Sequence, residues 1–154
     1  MVYQIYTVRC LSMFDFFSPP NMREAMLLNI EKLVYGGRGM GLHDGRPVFV
    51  PYSAPEDMLE IEVVRAHKDY DEGRIISVVK SAACRTEALC PYYGRCGGCQ
   101  WQHIAYDAQL RFKRAIVRSQ LERIGGIPDP PVRPPIGMES PWAYRNNMQF
   151  VVDG

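Results

Sequence analysis

The chain of 154 residues lacks the features that mark a secreted or membrane-spanning protein. Its opening stretch, residues 1–17, is apolar and aromatic, but Arg9 and Asp15 interrupt it and no small-residue cleavage site follows. We therefore expect neither a signal peptide nor a membrane span, and we place the chain in the cytoplasm. Residues 1–25 are predicted to form a disordered amino-terminal extension.

The chain also carries little net charge, +1 at pH 7. That balance alone says nothing about binding to nucleic acid, but the charges are unevenly distributed. Acidic residues predominate between Glu56 and Glu72, whereas basic residues predominate from Arg74 onwards. An anionic polymer is therefore expected to meet the second half of the chain rather than the acidic stretch, with a solvated helix face as the alternative.

A disulfide framework is also missing, because the five cysteines are odd in number and three lie too close together for simple pairing. These three are Cys90, Cys96 and Cys99, spaced C-x5-C-x2-C. Gly97 and Gly98 allow the tight turn that would point neighbouring thiolates at one centre. Three close cysteines with a distant fourth ligand are typical of an iron–sulfur cluster. The spacing thus predicts a metal or cluster site.

Two other interpretations of the cysteines remain open. In the first, the chain is a self-contained zinc-binding nucleic-acid module with His103 or Cys84 as the fourth ligand. In the second, it is a barrel-plus-helix interaction protein with incidental cysteines. Tyr92, Tyr93 and Trp101 would either shield a cluster from water or stack on unpaired bases, and shielding is the interpretation we favour.

The glycine cluster at residues 36–41 lacks the Gly-Lys-Ser/Thr of a phosphate-binding loop, so it predicts a tight hairpin instead. Around it, residues 28–34, 59–64 and 75–79 have the alternating or β-branched pattern of short strands, and residues 43–46 and 53–57 have the composition of turns between strands. The fold class is therefore predicted as mixed β and α. Residues 26–82 are expected to form a small five-stranded barrel of the oligonucleotide-binding type.

The pattern changes to a helical period between residues 104 and 124, where Gly125 and Gly126 follow. The expected apolar stripe consists of Tyr106, Leu110, Val117, Leu121 and Ile124, with Ile116 beside it and basic residues on the remaining surface. Residues 83–127 thus form a cysteine loop plus helix, and residues 128–141 form a proline-rich linker. Residues 142–154 alternate like the first strand of a further region whose continuation the sequence does not include.

Together these motifs resemble the amino-terminal part of the RNA 5-methyluridine (uracil-C5) methyltransferases of the TrmA/RumA type. The resemblance rests on Gly-Gly-x-Gly-x-Gly at residues 36–41, Cys-Pro-Tyr-Tyr-Gly-x-Cys-Gly-Gly-Cys-Gln-x-Gln-His at residues 90–103, Tyr106-x-x-Gln109-Leu110-x-x-Lys113, and Pro141-x-x-Tyr144-Arg145-Asn146. It runs from about residue 28 to the end, and the cysteine motif is its most specific part.

The resemblance implies that the barrel is a TRAM domain that binds RNA, either ribosomal or transfer RNA. It also implies that Cys90, Cys96 and Cys99 hold a [4Fe-4S] cluster whose fourth ligand lies outside this chain. S-adenosylmethionine would bind only in a later domain of the full-length family. No membrane partner and no obligate protein partner are expected.

The chemistry of that family requires a cysteine thiolate that adds to C6 of uracil and a base that removes the C5 proton. Neither that nucleophile motif nor a methyl-donor pocket is present, so no catalytic and no cofactor-binding residue is assigned. Cys10 and Cys84 are interpreted as free thiols. We expect this chain alone to bind RNA without methylating it.

Overall fold

The computed structural model describes residues 25–144, and within them it contains one mixed β-sheet followed by one helix. The strands are β1 (Met26–Asn29), β2 (Lys32–Leu33), β3 (Gly39–His43), β4 (Arg46–Val50), β5 (Met58–Ala66) and β6 (Asp71–Lys80), and the helix is α1 (Tyr106–Arg123). The predicted extension lies outside the described residues up to residue 24. So does the predicted carboxyl-terminal strand from residue 145 onwards.

The sheet has the strand order β1-β5-β6-β4-β3-β2. Neighbouring strands are antiparallel except β4 and β6, which run parallel where Val48 and Phe49 pair with Asp71 and Glu72. β1 and β2 occupy the two ends of this order although only two residues separate them in the chain. The sheet must therefore curl until its two edges approach each other, which gives it a barrel-like shape.

The prediction of a five-stranded barrel is corrected in one respect, because the structure has six strands in an open order. The extra strand arises where the predicted first strand bends at Ile30. The Ile30 amide donates to the Asp57 carbonyl oxygen next to β5, whereas the Glu31 amide donates to the Met40 carbonyl oxygen on β3, both at 2.9 Å. One continuous segment therefore serves both edges, and the described residues show no β1–β2 ladder that would close the barrel.

The core of the sheet follows from the two-residue period of its strands. Alternate residues on β4 and β5 point inward, and they meet the side chains of the bent first segment. The fully buried cluster consists of Leu28, Ile30, Val48, Val50, Leu59 and Ile61. Each such side chain stabilises the fold by about 1.5–3 kcal/mol relative to exposure.

Two tight turns lie between strands where turns were predicted. Asp44 and Gly45 join β3 to β4 with φ angles of +50° and +77°, as a two-residue type I′ hairpin requires. In the glycine-rich turn between β2 and β3, the Val34 amide donates to the Arg38 carbonyl oxygen at 2.9 Å. The glycine cluster is thus a hairpin, as predicted from its lack of phosphate-loop residues.

The predicted helix is confirmed within two residues at either end. Its buried face, however, differs from the predicted stripe, because Val117 and Ile124 are exposed. The contact with the barrel is made instead by Ala108, which is fully buried, and by Phe112 and Ile116 beside it. These pack with a second buried cluster that contains Leu33, Ala54, Ala82 and Ile104.

The predicted proline-rich linker, residues 128–141, runs back along α1. Arg114 donates from Nε to the Val132 carbonyl oxygen at 2.8 Å, and the Met138 amide donates to the Tyr106 hydroxyl at 2.8 Å. Tyr106 and Leu110 of the predicted stripe therefore face this segment rather than the barrel. The helix consequently has two partly covered apolar sides, a feature that a single periodic stripe does not predict.

Candidate functional site

The cysteine loop connects β6 to α1 and presents its thiols near the surface. Cys96 and Cys99 are exposed, Cys90 is half-buried, and all four described cysteines are free thiols. The backbone turns sharply here: the Tyr93 amide donates to the Cys90 carbonyl oxygen at 3.0 Å, and Gly97 has a φ of +69°. The predicted tight turn between Cys96 and Cys99 is therefore present, and Gly97 supplies its left-handed residue.

The donor set of this loop fits three ligands of a cluster in chemical type. Three thiols lie on one segment of ten residues, and the Gly98 amide points its hydrogen at Cys96 Sγ over 3.4 Å. Such an amide contact stabilises a thiolate and is common around iron–sulfur centres. Within residues 25–144, however, the structure does not gather three His, Cys, Asp or Glu side chains closely enough to hold a metal ion. Binding would thus require the loop to draw its thiols together.

The two ends of the loop are held together by main-chain hydrogen bonds. The Ala105 amide donates to the Cys84 carbonyl oxygen and the Thr86 amide donates to the His103 carbonyl oxygen, both at 2.9 Å. Deeper in the loop, the Cys90 amide donates to Gln102 Oε1 at 3.1 Å. Cys90 is therefore held by hydrogen bonding, whereas the tip of the loop, which carries Cys96 and Cys99, extends beyond these contacts.

A buried ion pair fastens the start of the loop to the barrel. The Asp57 carboxylate is fully buried, and Arg85 donates to it from Nε at 2.8 Å and from Nη2 at 2.7 Å. The carboxylate also accepts from the Ala54 amide at 2.6 Å and from the Ala82 amide at 2.9 Å. Burial alone would raise the pKa of Asp57, but the hydrogen bonds from Arg85 and the two amides lower it below its ordinary value.

Sequence reasoning missed this pair. Asp57 was assigned only to a turn at residues 53–57, and Arg85 was counted only within a basic half of the chain. The available signal was an acid in a turn of small residues directly before a strand, where a carboxylate can accept from main-chain amides. No local pattern identifies Arg85 as its partner, since 28 positions separate the two residues.

His103 lies inside the protein rather than beside the exposed thiols. Its ring is buried, and Nδ1 is hydrogen-bonded to the Tyr93 hydroxyl, which also donates to the Gln100 carbonyl oxygen at 2.7 Å. Burial lowers the pKa of His103 to about 4, and burial raises the pKa of Tyr93 to about 12. His103 is thus a neutral, buried side chain that would have to leave its pocket to complete a zinc site.

Trp101 joins the cysteine loop to the glycine-rich turn. Its indole nitrogen donates to the Gly37 carbonyl oxygen at 2.8 Å, and its ring packs beside the second core cluster. A Cβ on Gly37 would overlap the Gln100 carboxamide and approach Trp101 Nε1 to 3.2 Å. The glycine is therefore needed for close approach of the loop. Of the three predicted shielding residues, Trp101 and Tyr93 are half-buried and only Tyr92 is largely exposed.

Cys84 occupies a cleft between the barrel and the start of α1, lined also by Phe112, Arg111 and Glu56. Its thiol is half-buried, and burial raises its pKa above the ordinary value. Less of the reactive thiolate is therefore present. Arg85 favours the thiolate of Cys84, but burial and the nearby acids Asp57 and Glu56 outweigh it, so the thiol is not activated as a nucleophile.

The basic side of α1 is largely occupied by contacts within the chain. Arg111 pairs with Asp107 and Arg118 pairs with Glu122, each one turn apart. The acidic stretch is neutralised in a similar way by Arg38, Arg46, Arg74 and Arg85, which pair with Glu72, Asp71, Glu62 and Asp57. The charge asymmetry of the sequence is therefore much reduced in the folded protein.

Comparison with known proteins identifies the barrel. Residues 22–76 match the TRAM domain family, which covers almost the entire sheet. An RNA methyltransferase of Halalkalibacterium halodurans is 43% identical over 135 residues, 88% of this chain and 30% of that protein. An RNA methyltransferase of Aquifex aeolicus is 44% identical over 125 residues, 81% of this chain and 29% of that protein.

The barrel is a TRAM domain, and the chain is similar to RNA methyltransferases over more than 80% of its length. It corresponds to the amino-terminal part of these relatives and spans about 30% of their length. A solved structure, the Pyrococcus abyssi tRNA (uracil-54, C5)-methyltransferase in complex with S-adenosyl-L-homocysteine, is 30% identical. It matches with a TM-score of 0.42 over 62% of this chain and 21% of that chain. The TRAM match and the sequence identity to RNA methyltransferases confirm the resemblance inferred from the motifs.

The described part of the chain contains no helix with the length and apolar character needed to cross a bilayer. The predicted absence of a signal peptide or membrane span concerned residues 1–17, which lie outside the described residues.

Proposed function

We propose that this chain is the RNA-binding and iron–sulfur-binding amino-terminal part of an S-adenosylmethionine-dependent RNA uracil-C5 methyltransferase. The observation that carries the proposal is the alignment with an RNA methyltransferase over 88% of the chain, in which a TRAM domain is followed directly by the cysteine loop. TRAM domains and RNA-modifying relatives together support RNA as the partner. Ribosomal or transfer RNA is the proposed substrate class.

In this proposal Cys90, Cys96 and Cys99 hold the [4Fe-4S] cluster, and its fourth ligand comes from outside residues 1–154. The cluster would supply a rigid centre that fixes the exposed tip of the loop. The chain's own residues do the rest: Gln102 holds the Cys90 end of the loop, and Arg85 joins the loop to the TRAM domain. The contacts of Gln102 and Arg85 form without metal. The cluster would therefore order the tip of the loop, while these two residues hold its ends.

The proposed division of the chain follows the sequence boundaries. Residues 26–82 form the TRAM unit, 83–127 the cluster loop with α1, 128–141 the linker, and 142–154 the first strand of the next region. Methyl transfer itself is assigned to regions beyond this chain. No residue between 25 and 144 is assigned a catalytic role, and the chain alone is expected to be inactive as a methyltransferase.

The test is anaerobic purification followed by iron, sulfide and zinc analysis and an absorption spectrum. The Cys96→Ser variant removes an exposed candidate ligand, and Cys84→Ser is the matched control because Cys84 lies in the cleft by α1. We expect about four irons with sulfide and a broad band near 400 nm in wild type and in Cys84→Ser, and their loss in Cys96→Ser. One zinc without iron would overturn the cluster assignment in favour of the zinc module. Absence of any metal would overturn cluster binding by this chain alone.

A further inference from the structure

Three aromatic rings form a contiguous row on the outer surface of the sheet. Phe49 lies between inward-pointing Val48 and Val50 on β4, so its side chain projects from the opposite face. Its ring and the Tyr70 ring form an edge-to-face pair with a centroid distance of 5.3 Å, and Tyr70 stacks on His67 at 4.3 Å with an interplanar angle of 17°. All three side chains are partly exposed. We call this row the ring platform.

Arg46 fixes the turn that carries His67 and Tyr70, two of the three rings. Its guanidinium donates to the carbonyl oxygens of His67, Lys68 and Tyr70, and it forms a two-point contact with the Asp71 carboxylate at 2.8 and 3.1 Å. The His67 amide closes the same turn by donating to the Tyr70 carbonyl oxygen at 2.9 Å. The rings are thus ordered before any ligand arrives, which lowers the entropic cost of binding.

Cations surround the ring platform. Arg65 and Lys68 are exposed on either side of His67, and Lys32 is exposed on β2, in the cross-strand row that runs through Met40 to Phe49. Within the described residues Lys32 and Lys68 form no ion pair, whereas the acids Asp71 and Glu72 are paired with Arg46 and Arg38. Asp69 remains as an exposed acid at the tip of the turn. The surface therefore combines ring faces with free positive charge.

The position of the ring platform agrees with the general use of oligonucleotide-binding barrels. In such barrels the ligand lies across the second and third strands, between the loop after the first strand and the loop between the last two. Here those elements are β3, β4, the glycine-rich turn and the turn at residues 67–70. Aromatic rings beside a cationic groove are the surface on which unpaired bases stack while phosphates meet lysine and arginine.

We infer that the outer face of β3 and β4 binds unpaired RNA, with bases stacked on the ring platform and phosphates at Lys68, Arg65 and Lys32. This inference rests on the proposed RNA-binding function and adds to it the surface and the single-stranded state of the RNA. It also places the RNA contact on the TRAM domain rather than on the basic side of α1. Arg111 and Arg118 of that helix are paired within the chain.

The test is fluorescence anisotropy with a short labelled oligouridine and the 154-residue chain. Tyr70→Leu removes a stacking ring but keeps an apolar side chain, and Tyr70→Phe keeps the ring. We expect Tyr70→Leu to weaken binding by about 5- to 100-fold and Tyr70→Phe to change it by less than about twofold. Lys68→Ala should reduce the salt slope of log Kd by about 0.7. The matched controls, Tyr144→Leu and Lys113→Ala, alter an exposed tyrosine and a helix lysine and should bind like wild type.

The outcomes separate this inference from the proposed function. If wild type binds no RNA, RNA binding by this chain and the inference both fail. If wild type binds but a folded Tyr70→Leu binds equally well, or duplex RNA competes as well as the oligouridine, the inference fails and RNA binding stands.

A second measurement applies even if Tyr70→Leu does not fold. Ultraviolet crosslinking of wild type to an oligonucleotide that contains 4-thiouridine should give an adduct on the tryptic peptide of residues 69–74, which carries Tyr70. Adducts confined to peptides of α1 or of the cysteine loop would overturn the inference.

Discussion

Asp57 and Arg85 form a buried ion pair that links the TRAM barrel to the first residues of the cysteine loop. The guanidinium contacts both carboxylate oxygens, at 2.8 and 2.7 Å, and Arg85 also donates to the Tyr52 carbonyl oxygen at 3.0 Å. Because Asp57 accepts two main-chain amides as well, each of its oxygens has two donors. The Asp57 carboxylate is therefore one of the contacts that attach the cysteine loop to the TRAM domain, together with the hydrogen bond from Trp101 to Gly37.

Removing the charge of Asp57 should destabilise the protein strongly. Asp57→Asn leaves Arg85 without its counterion in a buried position, and breaking such a pair typically costs about 3–5 kcal/mol. We expect a loss of that size in the free energy of unfolding, measured by urea denaturation. Glu62→Gln is the control, because it removes a pair with the exposed Arg74 and should cost less than about 1 kcal/mol. Equal losses in both variants would contradict the assigned role of Asp57.

Stability should fall as the pH falls below about 6.5, because His103 is buried in its neutral form. Burial lowers its pKa to about 4 from the model-compound value of 6.5. Between these values the unfolded chain binds more protons than the folded protein, so stability rises with pH in this window. The steepest slope is about 1.4 kcal/mol per pH unit.

The measurement is urea unfolding between about pH 5 and 7, a range above the ordinary pKa of Asp57. His103→Gln should lose most of the slope, whereas His43→Gln, which replaces an exposed histidine, should retain it. A slope that survives in His103→Gln would show that another group titrates.

Gly36 and Gly37 provide a matched pair for testing the contact between the glycine-rich turn and the cysteine loop. Both have left-handed φ angles, +90° and +82°, so alanine costs a similar backbone strain at either position. Only at Gly37 would the new Cβ meet Gln100 and Trp101, since Gly36 faces open space.

We therefore expect Gly37→Ala to lower the Tm more than Gly36→Ala. In a Trp142→Phe background the fluorescence reports Trp101 alone, because the chain has two tryptophans. Its emission should shift to longer wavelength only in Gly37→Ala. Identical spectra and Tm values for the two variants would mean that Trp101 does not depend on this turn.

Cys84 should react more slowly with iodoacetamide than Cys96 and Cys99 in the metal-free chain. Its thiol is half-buried and burial raises its pKa, so less thiolate is present at neutral pH, whereas the other two side chains are exposed. Peptide mass spectrometry over a time course gives the separate rates. Equal rates in the folded protein, and not only after denaturation in urea, would argue against the protected position of Cys84.

The local elements of this protein follow from sequence patterns alone. Strand alternation, the Asp44-Gly45 turn and the helical period each depend on neighbours within a few residues, and so they predict β5 and α1 to within two positions. β6 is longer than predicted, because it begins at Asp71 rather than at Ile75. The tight turn between Cys96 and Cys99 was predictable for the same reason, since it requires glycine at a left-handed position. The TRAM assignment followed from the order of these motifs along the chain.

What only the tertiary structure decided involves residues far apart in the sequence. The bend at Ile30 turns one predicted strand into two, because the Ile30 amide donates to Asp57 beside β5 whereas the Glu31 amide donates to Met40 on β3. The helix packs through Ala108 and Phe112 rather than through the predicted stripe, because the linker covers another side. Charge is the clearest case: the arginines that neutralise Asp57, Glu62, Asp71 and Glu72 come from other segments. Composition determined how many charges the chain has, but the fold decided which of them are paired with each other.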